Sequence, residues 1–123
     1  MLQFILYPPF LDRSGPSMNF ATFKRSVDSE DPPVDISAAA LGLWWDAKGH
    51  WDKAHDAAQK CEDGSGSWVH AYLHRKEGDL ENASYWYRRA GRTMPDIRLS
   101  KEWELIVISL LEETTADKRP KKR

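Results

Sequence analysis

The segment from His70 to Glu77 reads HAYLHRKE and places His70, His74 and Glu77 at i, i+4 and i+7. On an α-helix, residues so spaced share one face, each about a turn above the last. Two imidazoles one turn apart can chelate a divalent metal ion, and a carboxylate further along the face can supply a third ligand. The spacing is similar to the histidine pair of H-E-x-x-H, but Ala71 follows His70, so the glutamate that serves that motif as general base is missing. The sequence offers no cysteine pair and no second histidine cluster; His50 and His55 join only if the fold carries them there. The lack of further ligands favours a packing role for His70 and His74, each bonded to Tyr87, Asp79 or a backbone group. The alternative is a polar site at His70, His74 and Glu77, serving proton transfer or ligand binding, with a metal as an aid. No catalytic residue, resident metal or cofactor is expected: the chain has no nucleophile–base motif and no Gly-rich phosphate loop.

A second constellation is ASYWYRRAG, from Ala83 to Gly91. Ala83, Trp86, Tyr87 and Ala90 fall at i, i+3, i+4 and i+7 and belong to a core face. Tyr85 then points outward among Glu81, Arg88, Arg89 and Arg92. One helix earlier, Trp68, Tyr72 and Arg75 form another stripe at i, i+4 and i+7. Trp68, Tyr72, Arg75, Tyr85, Arg88 and Arg89 are thus the expected ligand- or partner-binding residues. Arginine forks beside aromatic faces suit a carboxylate, a phosphate or an acidic peptide. The structural alternative is that the arginines answer the dipole at a helix end, with Arg89 stacked on Tyr85 one turn back. Trp68 and Tyr72 read equally as core beneath the N-terminal segment. Cys61, on a stripe with Ala57 and Ala58, reads as a buried, inert thiol.

These residues need helices to position them. Phe20, Phe23 and Val27 suggest a short amphipathic helix. Asp35 is the expected N-cap of a helix from Ile36 to Lys48, ended by Gly49. Further helices are expected over 51–61, 67–77 and 79–90, with EDGSGS as a loop between the first two. A last helix, capped by Ser100, carries Trp103, Ile106, Val107, Leu110 and Leu111 on one face. No segment alternates as a strand, so the fold class is all-α.

The chain also repeats itself. AKGHWDKAH, from Ala47, aligns with KEGDLENAS, from Lys76, so that Gly49 matches Gly78, Trp51 matches Leu80 and Ala54 matches Ala83. Leu41-Gly42-x-x-Trp45 and Ala83-x-x-x-Tyr87 followed by Pro95 are similar to elements of the tetratricopeptide repeat. The spacing is shorter than that repeat's roughly 34 residues, and two units stand where roughly three are usual. The resemblance implies two stacked helical hairpins closed by the Trp103 helix, a scaffold commonly used for protein binding. More narrowly, WVHAYLHRKEGD…NASYWYRRAG, with LWWDAKGHWDKAH before it, resembles a family of small all-helical bacterial proteins, over roughly Met18 to Leu111; no activity comes with that resemblance.

Length and charge bound the rest. A chain of 123 residues makes one domain. The expected organisation is an N-terminal extension over 1–17, with Met18 as an alternative start, a helical domain over 18–116, and a basic tail over 117–123. Net charge is −1, yet KRPKKR at the C-terminus holds five of the 18 basic residues and leaves 13 against 19 acidic ones. An acidic body argues against nucleic acid as a partner. A single cysteine fits a reducing, cytoplasmic compartment, and no membrane partner is expected. Six tryptophans in so small a domain make a homo-oligomer conceivable. The first expectation is thus a non-enzymatic adaptor for an acidic peptide or anionic ligand; the second is a ligand-binding or catalytic protein built on the histidine face.

Overall fold

The computed structural model describes residues 18–117, with side chains through residue 113. Residues 1–17 and the basic tail from Lys118, on which the start-site and tail expectations fall, lie outside the described residues. Six helices follow in order: α1 Phe20–Ser26, α2 Ala38–Ala47, α3 Trp51–Gln59, α4 Gly64–Lys76, α5 Leu80–Arg89 and α6 Leu99–Asp117. Among the described residues there is no strand, as the all-α reading requires. None of these helices is long and apolar enough to cross a membrane.

The turns come from residue chemistry. Gly49 and Gly78, matched in the repeat, both sit at positive φ (87° and 91°), a region glycine enters without strain. Each closes a tight reversal, so α2 packs on α3 and α4 on α5. Ala54 and Ala83, also matched, are fully buried where the paired helices cross. Gly42 completes the close approach: a Cβ there would stand 3.1 Å from the Ala54 carbonyl oxygen.

Two caps differ from expectation. Ser37, not Asp35, caps α2, its Oγ accepting from the Ala40 amide at 3.0 Å, while Asp35 lies in the turn before it at φ 65°. Asp63 caps α4 by accepting from the Ser65 and Gly66 amides, so EDGSGS is largely helix rather than loop. The packing explains the glycine: a Cβ on Gly66 would lie 2.0 Å from the Cys61 carbonyl oxygen. Ser100 lies inside α6 and caps nothing.

α4 is the central helix. Val69, Ala71, Tyr72 and Leu73 are buried on it, and it meets α2, α3, α5 and α6. α6 is fastened by a buried ionic network. Glu102, 2 % exposed, accepts from Arg75 Nη1 and from the Tyr87 hydroxyl, both at 2.6 Å, and Arg75 Nη2 also donates to the Ile97 carbonyl. Trp44 Nε1 donates to Ser26 Oγ, and Lys48 Nζ to the carbonyls of Val27 and Ser29, which ties α1 to α2.

Candidate functional site: a histidine nest between the helical pairs

His70 and His74 stand on the side of α4 that faces α3. Their rings are stacked one turn apart, with centroids 4.9 Å apart. Trp51 and His55 occupy the same i, i+4 relation on α3, their rings stacked at 4.9 Å. Because α3 lies against α4, His55 is brought to the other two: its ring is 4.3 Å from His70, edge-on, and 5.3 Å from His74. One ligand nitrogen from each of His55, His70 and His74 can be chosen so that all three lie within 4.8 Å of one another. Trp86 of α5 covers the cluster, its ring nearly parallel to His70 at 3.9 Å. Trp51 closes the other side against His74 at 5.6 Å, with its indole N–H spent on the Leu73 carbonyl.

Polar neighbours orient the imidazoles. Glu77 accepts from His74 Nδ1 at 2.7 Å, which leaves the lone pair of Nε2 on the inner side. Asn82 Nδ2 lies 3.4 Å from that Nε2, and the amide is held by Asp79, the N-cap of α5. Gln59 Nε2 lies 3.5 Å from His55 Nδ1. A glutamine amide can present either its oxygen or its nitrogen, so both tautomers of His55 are served. His70 differs from the others. It is 6 % exposed and, among the described residues, neither ring nitrogen makes a hydrogen bond. Besides the other two rings, it borders a cleft shared with Gln59, Glu62, Ser67 and Arg89.

The electrostatics oppose protonation of His70 and His55. Burial, then the nearby His55 and His74, holds His70 down at about 4. Burial and His74 also lower His55, against the opposite pull of Asp56, Glu77 and Asp52. A neutral imidazole has an available lone pair, which a protonated one lacks.

His50, exposed at the start of α3, takes no part. The hydrogen bonds expected for His70 and His74 also differ: Tyr87 is committed to Glu102, Asp79 to the α5 cap, and His74 is bonded to Glu77 instead. The expected aromatic–arginine surface divides into two. Trp68 and Tyr72 are buried, and Arg75 belongs to the Glu102 network. Arg92 lies over the Trp68 ring, 3.3 Å from its centroid, and the Tyr72 hydroxyl donates to buried Asp46. Tyr85, Arg88 and Arg89 are exposed on α5. There Arg89 lies over the Tyr85 ring at 5.8 Å and donates to its hydroxyl, which is the stacking alternative. Cys61 is half-buried, its thiol donating to Asp63 at 3.1 Å and held protonated mainly by burial.

His55, a candidate only if the fold carried it there, does reach the nest, and Trp86 and Asn82 complete it. His55 was legible in one respect: it adjoins Ala54, which the repeat marks as a helix crossing, and lies one turn from Trp51. Nothing in sequence pointed to Asn82.

No protein-family model, no curated protein and no solved structure matches this chain.

Proposed function

We propose that this protein binds a divalent transition-metal ion at His55, His70 and His74. The observation that carries the reading is His70, a buried imidazole with no hydrogen-bond partner among the described residues, set between two further imidazoles. Buried polar atoms are almost always satisfied, and an orphan calls for a water, an ion or a functional reason. A phenylalanine would fill the space against Trp86 without that cost, so packing does not account for the residue type.

The donor set fits a borderline metal. Imidazole nitrogens suit Zn(II), Cu(II) and Ni(II) and disfavour Mg(II) and Ca(II). Bonds of ~2.0–2.1 Å in a tetrahedral site put nitrogens ~3.3 Å apart, so small rotations of the three rings would close the present separations. Glu77 on His74 Nδ1 is the kind of outer carboxylate that fixes a ligand histidine and raises its basicity. Three protein ligands leave a fourth position for water or an exogenous ligand, which keeps the site open to a bound small molecule. The helical pairs around it read as tetratricopeptide-like hairpins, supported by the matched turns at Gly49 and Gly78 and the matched crossings at Ala54 and Ala83.

The test is titration of chelator-treated protein with Zn(II) by calorimetry, for wild type and for His55→Ala, His70→Ala and His74→Ala. His50→Ala serves as control. One ion per chain is expected for wild type and the control, with affinity down at least about tenfold in each nest variant. Equal binding by all five proteins would defeat the reading.

A further inference from the structure

A cleft of about 990 Å3 lies on the far side of α4, walled by α1 and the start of α6. Its charges are unusual for this protein. Lys24 and Arg25 line it from α1, Lys76 from α4, and Arg98 and Lys101 from the start of α6, against Asp28, Asp46 and Glu104. Asp46 is already satisfied, by Lys76 Nζ at 2.9 Å and by the Tyr72 hydroxyl at 3.1 Å. The side chains of Lys24, Arg98 and Lys101 make no ion pair or hydrogen bond among the described residues. Cations thus gather on both walls of one concavity, in a chain whose body otherwise carries an excess of acid.

The cleft is also apolar in part. Phe20, Leu99 and Trp103 line it, with Phe20 edge-on to Trp103 at 5.9 Å. The indole N–H of Trp103 is spent on the Leu43 carbonyl at 3.0 Å, so the ring offers the cleft hydrocarbon surface and no donor. A free inorganic ion would leave that surface wet. The volume lies at the upper end of what small-molecule sites span.

We infer that this cleft is a binding site for a small amphipathic organic anion, with an aromatic or alkyl body on Phe20 and Trp103 and a carboxylate or phosphate between the α1 and α6 cations. Arg98 gives the planar fork that suits either headgroup, and Lys24 and Lys101 act as point charges across from each other. The site is separate from the histidine nest and does not depend on its occupancy.

The probe is 1-naphthyl phosphate, followed by amide chemical-shift changes in the full chain, with 1-naphthol and inorganic phosphate as half-probes. Shifts should concentrate in α1 and the first turn of α6, and each half-probe should bind at least about tenfold more weakly. Arg98→Glu/Lys101→Glu, shown folded by circular dichroism, should weaken 1-naphthyl phosphate by at least about tenfold. Arg88→Glu/Arg89→Glu, on the exposed face of α5, should leave it unchanged. His70→Ala should also leave it unchanged, which separates this site from the metal reading. Shifts elsewhere, equal binding by 1-naphthol, or indifference to the Arg98/Lys101 reversal would overturn the inference. So would binding at this cleft of an acidic phenylalanine-containing peptide by a protein that ignores 1-naphthyl phosphate.

Discussion

His70 illustrates how much one residue's surroundings decide. An exposed histidine titrates near neutrality, whereas burial among two other imidazoles holds His70 at about 4. The sign of the consequence follows from linkage. The unfolded chain takes up a proton near 6.5, the ordinary value for histidine, and the folded chain does not, so the stability tied to His70 is intact above that pH. It is lost as pH falls from 6.5 toward about 4. The loss is on the order of 3 kcal/mol at most, and His55, lowered in the same direction, adds to it. Urea denaturation of the metal-free protein between pH 7 and pH 4 should show this decline. His70→Phe should flatten it, because the ring keeps its stack on Trp86 and loses the titrating nitrogen. The same variant should match or exceed wild-type stability at pH 7 by up to about 1 kcal/mol, since an unbonded buried nitrogen is removed, while binding no metal at the nest. A His70→Phe variant destabilised by several kcal/mol would mean that the imidazole has a structural partner after all.

At the scale of elements, two features hold the helices that present the site. The first is the Arg75–Glu102–Tyr87 network. Glu102→Ala leaves a guanidinium and a phenol without their acceptor in the interior, and should cost about 3–5 kcal/mol. Glu102→Gln, which keeps one carbonyl acceptor, should cost less, and equilibrium unfolding ranks the two. The second is Gly66, where a methyl group would meet the Cys61 carbonyl oxygen at 2.0 Å. Gly66→Ala must push the start of α4 off the end of α3 and should destabilise by about 2 kcal/mol or more. The periodicity of the chain anticipated this level well. The repeat carried both glycine turns and both alanine crossings, and the Trp103–Leu111 stripe carried α6. The start of α4 was misread because Gly64, Ser65, Gly66 and Ser67 have loop composition. A cap at Asp63 and a contact that only glycine tolerates outweigh propensity there. The network on Glu102 was not legible, since its members are distant in sequence and the charged pair, Arg75 and Glu102, each alone look like surface residues.

The described fold is organised around α4, with an aromatic-walled histidine nest toward α3 and α5 and a cationic cleft toward α1 and α6. Spacing placed His70 and His74 on one face, but no pattern along a single helix could supply His55, which arrives by tertiary packing of the two pairs. The stripes Trp68–Tyr72–Arg75 and Tyr85–Arg88–Arg89 read alike in sequence. They separate in the fold because one lies on the buried central helix and the other on the outer face of α5. A metal at the nest would bridge α3 and α4, so its binding free energy should appear as stability of the whole domain. At a free concentration about a hundredfold above Kd the gain is about 2.7 kcal/mol, seen as a rise in Tm on adding Zn(II) that His55→Ala abolishes. The central claim is tested most directly by X-ray absorption at the zinc edge on protein loaded with one equivalent of Zn(II) at pH 7. The first shell should contain three imidazole nitrogens at ~2.0–2.1 Å, reduced in His55→Ala. A shell with sulfur from Cys61, a shell of oxygens alone, or the same spectrum in His55→Ala would contradict it.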